Sequence, residues 1–209
     1  VGLSNVQMEL ADMLPRKVIR AGTETIEAFF IFETNVGRGR GIIRLCPDSG
    51  HGGRYKAWTI LTALEELVGY EETTGANRPT GQSYSRDFHG PNWLEQRQET
   101  EAYKDRNPAA LVVGGGQAGL SAAARLTQLG IDTLIVDKHK RIGDNWRKRY
   151  HALTLHNQVH VNHMPYMPFP STWPSYVPKD KLANWFEAYV EALELNYWPK
   201  TELVHGSYD

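Results

Sequence analysis

"LVVGGGQAGLSAAARLTQLGIDTLIVDKHKRIGDNWRKRY" runs from Leu111 to Tyr150 and decides the fold of the second half of the chain. From Ala109, "AALVVGG" is a short continuous apolar run, as expected of a strand buried on both faces of a parallel sheet. "QAGLSAAARLTQLG" comes next, as a helix. Its small residues let it lie close to a sheet, and Gly130 stands where a C-terminal cap belongs. "DTLIVDK" is a second strand. Between the first strand and the helix, Gly114, Gly116 and Gly119 form GxGxxG. Gly114 permits the tight turn, Gly116 lets the backbone approach a pyrophosphate, and Gly119 lets the helix pack on the strand. The helix N-terminus offers N–H groups and a positive dipole end to phosphates. Asp137 closes the second strand, about 20 residues on, where a carboxylate accepts from ribose hydroxyls and disfavours a 2′-phosphate. The alternative is a Gly-rich turn with no ligand. The coincidence of strand, helix, glycines and acid favours the dinucleotide reading, which fits NAD or FAD equally.

Around this core the bulk properties narrow the classes. The chain has 209 residues, a formal net charge of −1 and one cysteine. Near-neutral charge removes the electrostatic case for nucleic acid. No apolar run approaches the ~20 residues of a membrane span. Cys46 alone excludes an internal disulfide, a redox pair and a cysteine zinc cage, and a cytoplasmic location is the expectation. Residues 1–68 form a unit of their own. "ETIEAFFIFET" (24–34), "GRGIIRLCP" (39–47) and "RYKAWTILTAL" (54–64) read as strands of an antiparallel meander, separated by the Gly-rich turns "NVGRGR" and "PDSGHGG". "MELADMLPRKV" reads as a short helix or an edge element. Residues 69–107 are polar and rich in Gly, Pro, Asn and Ser. They read as a linker with a helical piece near 93–104, or as a long surface loop. Residues 108–209 carry the dinucleotide fold. In "VPKDKLANWFEAYVEALEL" (177–195), Leu182, Trp185, Phe186, Tyr189, Val190 and Leu193 recur at helical spacing. The fold class is therefore α/β, a Rossmann-like domain preceded by a small α+β unit with an antiparallel sheet.

The residues after Asp137 separate the cofactors. "RIGDNWRKRY" resembles the GG-x-W-x-x-R-Y element behind the FAD fingerprint of class B flavoprotein monooxygenases, the flavin-containing and YUCCA-type enzymes. Gly143, Trp146, Arg149 and Tyr150 match, and Asp144 stands where the family has its second glycine. "LTLHNQVHVNHMPYMPFPSTWPSYVPKDKLANWFEAYVEALEL" is similar to the same proteins in order, including "MPFP" at 167–170. The resemblance runs from about Ala109 to about Leu203. It implies a bound FAD, with Gly114, Gly116, Gln117, Ala118 and Gly119 along the pyrophosphate. Asp137 and Lys138 would hold the adenosine ribose. Asn145, Trp146 and Arg147 would lie along the inner cofactor. The family's chemistry is NADPH reduction of FAD and addition of O2 to give a C4a-hydroperoxyflavin, which oxygenates a small organic substrate. His156 and Asn157 are the candidates for contact with cofactor or substrate, against a plain solvent-facing loop.

The resemblance also carries expectations of absence. The family's second GxGxxG, for NADPH, has no counterpart here, so NADPH is expected as a cosubstrate whose site is not in this chain. The chain is accordingly expected to be an inactive N-terminal fragment. Residues 1–68 resemble part of an NTF2-like (SnoaL-like) cone, which implies possible homo-oligomers. The alternatives are a non-catalytic FAD-binding module and an NAD-dependent dehydrogenase; a dehydrogenase leaves "GDNW" unexplained. A flavin disulfide reductase needs a cysteine pair that this half lacks. His156, His160 and His163 are close in sequence but in a Pro-rich segment without helical period, so no metal site is expected. "PYMPFPSTWPSYVP" reads as packing against the flavin domain rather than as a Pro-rich ligand.

Overall fold

A computed structural model of the protein describes residues 2–10, 13–48, 50, 52–79 and 89–207. The chain divides into two compact units, Val1–Glu71 and Glu72–Asp209. None of the described helices is long and apolar enough to cross a membrane.

The first unit is an antiparallel sheet of β1 (Leu3–Met8), β2 (Arg16–Arg20), β3 (Thr23–Thr34), β4 (Gly37–Pro47) and β5 (Tyr55–Leu67). The order is β1-β3-β4-β5, and β2 pairs with the same strand β3 further along. The segment read as a short helix or edge element contributes residues to both β1 and β2, so its described part is sheet edge. The described residues of this unit contain no helix, so they show the sheet of the expected α+β unit without helical cover.

"NVGRGR" is not a turn: only Asn35 and Val36 turn, and the glycines are inside β4. Gly39 and Gly41 pair with Phe32 and Phe30 of β3. The Phe rings lie over them, so a Cβ at Gly39 would sit 2.5 Å from Phe32 Cζ, and one at Gly41 2.3 Å from Phe30 Cζ. Glycine makes room for an aromatic ring across the strand pair. The intervening Arg38 and Arg40 point to the other face, where they pair with Glu66, Glu71 and Glu65.

That second face also holds the unit's one fully buried carboxylate among the described residues. Glu27 is only 1% exposed and accepts from Arg16, Arg20 and Arg44 at 2.7–3.2 Å. The Arg16 and Arg44 guanidiniums outweigh the cost of burial and pull its carboxyl down to about 2.

The second unit starts with a helix, α1 (Trp93–Ala102), capped by a reciprocal Asn92–Glu95 box. It then runs β6 (Ala110–Val113), α2 (Gln117–Gln128), β7 (Thr133–Asp137), α3 (Asp144–Arg147), α4 (Lys179–Ala192) and β8 (Asn196–Pro199). The three strands are parallel in the order β6-β7-β8. On one face, Leu120, Ala123 and Ala124 of α2 and Phe186, Tyr189 and Val190 of α4 close on Ile135 and Tyr197. On the other, Tyr103 and Trp198 meet edge to face beside Leu134 and Val136. The helical piece near 93–104 is anchored, not loose: Trp198 Nε1 donates to Glu101 O at 2.8 Å, and Trp93 Nε1 to Glu194 at 3.0 Å. Strand β8 has no signal of its own in the sequence pattern, because "LELNYWPK" continues the helical pattern of α4. Glu194, at φ +51°, breaks the helix and turns the chain into the sheet.

The proline-rich segment packs as expected. Phe169 stacks on Trp173 at 4.9 Å, and Trp185 meets both edge-on. Tyr189 donates to Pro165 O at 2.9 Å, and burial pushes its hydroxyl pKa up to about 12.

Candidate functional site

The carboxyl ends of β6 and β7 and the N-terminus of α2 meet at one place, where open α/β sheets bind ligands. Gly114 leaves β6 at φ +101°, in the left-handed region that glycine tolerates. Gly116 is the N-cap of α2, and no side chain caps the helix there. The first-turn N–H groups, from Gln117 to Gly119, therefore face outward without a side-chain partner. Gly119 is sterically required: a Cβ on it would lie 1.9 Å from Gly114 O. The helix can start this close to the strand only with a bare Cα.

The loop's middle glycine, Gly115, fills a variable position of GxGxxG, yet the structure uses it twice. Its N–H donates to Asp137 Oδ2 at 2.7 Å. Its Cα faces the ring of Tyr197 on β8, so that a Cβ would fall 2.1 Å from Tyr197 Oη. Tyr197 thus forms the floor of the loop. Its burial, and then the charges of Asp137 and Asp144, push its hydroxyl pKa well up, so it stays a neutral donor.

Asp137 closes β7, as the sequence places it. Its second oxygen accepts from His139 N and from His139 Nδ1, both at 2.7 Å. Burial raises the carboxyl pKa, but the N–H groups of Gly115 and His139 outweigh it and leave the group below its ordinary value. It is ionised and fixed in position before any ribose arrives. Lys138, its neighbour, is exposed.

The "GDNW" stretch forms α3. Gly143 enters it in the left-handed conformation, and Asp144 occupies its first turn. The Asp144 carboxylate pairs with Lys148 at 3.3 Å and Arg147 at 3.5 Å, which absorbs the charge brought by the replaced glycine. Asn145 comes from this turn to the glycine loop: its Nδ2 would be 3.3 Å from a Cβ on Gly116. Its Oδ1 is buried without a hydrogen-bond partner. A buried orphan acceptor beside a phosphate-type loop fits a ligand that brings a donor. Trp146 lies under Arg149, whose guanidinium is 5.0 Å from the ring centroid. Arg147 donates to Ile142 O and to Asn184 Oδ1, and pairs with Glu187 at 3.2 Å. These contacts make it a tie between α3 and α4. His156 and Asn157 are exposed. His163 is engaged locally, its Nδ1 accepting from Phe169 N at 2.9 Å.

Residues 112–172 match the family model of the NAD(P)-binding Rossmann-like domain. That segment has a Rossmann-like fold. The chain is 36% identical over 86 residues to indole-3-pyruvate monooxygenase YUCCA1 of Oryza sativa subsp. japonica, covering 41% of this chain and 21% of that protein. It is 37% identical over 94 residues to an uncharacterized CzcO-like oxidoreductase of Geobacillus kaustophilus (strain HTA426), covering 45% and 27%. A solved flavin-containing monooxygenase from Stenotrophomonas maltophilia aligns with 26% identity and a TM-score of 0.41, over 44% of this chain and 28% of that one. The chain spans about a fifth to a quarter of the length of the curated relatives it matches. The chain thus has flavin monooxygenases among its homologues.

Proposed function

We propose that the Rossmann-like domain binds FAD and that the protein is an NADPH-dependent flavin monooxygenase acting on a small organic substrate. The observation that supports this best is the junction of two motifs. The glycine loop suits any dinucleotide, but the "GDNW" turn places Asn145, with a buried unpartnered acceptor, directly beside Gly116. A dehydrogenase loop gives that second element no role.

On this reading, Gly114, Gly116, Gln117, Ala118 and Gly119 take the diphosphate through backbone N–H groups and the helix dipole. Asp137 accepts from the adenosine ribose, with Lys138 alongside. Asn145 accepts a donor from the inner part of the cofactor, and Trp146 shields it from water. Arg147 supports the turn that carries both. When bound, FAD supplies the two-electron and O2 chemistry. The described residues hold one strand–glycine loop–helix unit, which we assign to FAD; NADPH is a cosubstrate without a site among them.

The test is a visible spectrum of the chain after incubation with FAD and desalting, beside a parallel incubation with NAD. Retained flavin absorption and no retained NAD is the expected result. Uptake of NAD without flavin would overturn the reading in favour of a dehydrogenase. Retained flavin that NADPH reduces, and O2 reoxidises, in an assay with a thioether would carry it on to monooxygenation. Flavin inert to NADPH is the result expected of these 209 residues, because no NADPH site lies among those described.

A further inference from the structure

The two edges of the antiparallel sheet differ. On the β1/β2 side the edge strands are 6 and 5 residues long, and β2 carries Arg16, Lys17 and Arg20. Short, charged edges resist pairing with other chains. The opposite edge is β5, which is 13 residues long and, apart from a bridge from Leu67 to Tyr70 at its end, pairs only with β4 among the described residues. Its middle, "TILTAL" from Thr59 to Leu64, carries no charge, and Ile60 and Leu61 are 62% and 58% exposed. A long apolar edge of this kind is a template for one more strand.

We infer that β5 pairs antiparallel with β5 of a second copy, about a two-fold axis through Leu61, to make one continuous sheet across a dimer.

The sequence of β5 fits itself in this register. Leu61 meets Leu61, Ile60 meets Thr62, Thr59 meets Ala63 and Trp58 meets Leu64. Further out, Lys56 meets Glu66 and Tyr55 meets Leu67, each twice by symmetry. The pairing sets uncharged residues against one another from Trp58 to Leu64, sets Glu65 against Ala57, and matches cation to anion at Lys56 and Glu66.

Face and length agree as well. Because side chains alternate, directly opposed residues must belong to the same face. The register of β5 against β4 shifts twice, once at Trp58 and once at Glu65. Each shift inserts one residue. Counted outward from Leu61, one insertion falls on each arm of the strand. In the proposed pair, the arm holding Trp58 lies against the arm holding Glu65, so the extra residues compensate. Lys56 pairs with Cys46 of β4 and Glu66 with Arg38, two positions on the same face. They remain on one face when they meet across the axis. A one-residue slip would set Lys56 against Leu67, from the opposite face.

The ends are already arranged for this. Glu66 is held by Arg38 at 2.6 Å, and Lys56 by Asp48 at 3.4 Å, each with its charged head partly open to solvent. A second copy is the occupant that supplies both complementary charges at the right spacing.

The experiment is sedimentation equilibrium or light scattering on the full 209-residue protein. A mass of about 47 kDa, twice the chain mass of 23.7 kDa, is expected. Leu61→Lys places two like charges on the axis and is expected to give monomer. Lys56→Glu sets like charges together at two symmetric positions and is expected to weaken association about tenfold. Lys56→Glu combined with Glu66→Lys restores opposite charges and is expected to recover the dimer. Far-UV circular dichroism confirms that each variant keeps its sheet. Wild-type monomer, a dimer indifferent to Leu61→Lys, or a charge swap that fails to recover association would each overturn the proposal.

Discussion

Two buried carboxylates, one in each unit, are held below their ordinary pKa by opposite means. Glu27 sits inside the first unit's sheet and is neutralised by three guanidiniums. Asp137 closes β7 of the Rossmann-like domain and is held by two backbone N–H groups and one imidazole. The first arrangement is permanent charge against permanent charge across three strands, and its product is sheet register. The second links a strand end to a glycine loop through a main-chain donor, and its product is loop shape. A carboxylate bonded by loop N–H groups retains lone pairs at the mouth of the site, whereas one enclosed by arginines faces only its own sheet. Asp137 can therefore serve a ligand, and Glu27 cannot.

The largest expected difference comes from removing the two charges. Glu27→Gln leaves three arginines converging without a counter-charge and should cost the first unit about 3 kcal/mol. Hydrogen exchange at β3 and β4 amides should rise while β7 remains protected. Equal loss in both units would mean that Glu27 does more than hold its own sheet.

The same group fixes a pH signature. Its carboxyl titrates near 4.5 when unfolded and about 2 when folded. Between these values the unfolded chain binds a proton that the native sheet refuses. The stabilisation is complete above 4.5 and is lost as pH falls through the window toward 2. Melting of the first unit should thus drop across that range in the native protein and stay flatter in Glu27→Gln.

Asp137→Asn is the milder change. An amide oxygen can keep one of the two N–H bonds, so about 1.5 kcal/mol of the second unit's stability should go, with a larger loss in flavin affinity. Lys138→Ala should have the smallest effect, within about 0.5 kcal/mol in stability, because the side chain is exposed. If Lys138→Ala weakened flavin binding more than Asp137→Asn, the ribose contact would belong to the lysine.

The contrast between the units also explains what the amino-acid sequence disclosed. The glycine loop was legible because its strand, glycines, helix and acid lie within about 30 consecutive residues, and each has a local cause. The apolar stripe of α4 was legible for the same reason. Tyr197 and Gly115 were not. They are 82 positions apart, and only the parallel pairing of β7 with β8 puts the tyrosine under the loop. His139 escaped because its role is a bond to the acid two residues earlier. Glycines 37 and 39 misled, since Gly signals a turn locally, but here Gly39 answers to Phe32 on one neighbouring strand and Gly37 to Leu64 and Glu66 on the other. Contacts made across strands have no short-range signature.

On the reading proposed above, the bare Cα of Gly119 and the acid at Asp137 shape a loop for FAD. A fluorescence titration of FAD into the 209-residue protein and into Gly119→Val tests it most directly. A Cβ at this position would lie 1.9 Å from Gly114 O, so the loop cannot keep its shape with valine there. Saturable 1:1 quenching is expected for the native chain, and at least about 100-fold weaker binding for the folded variant, about 2.7 kcal/mol. Equal affinity in the two proteins would contradict it.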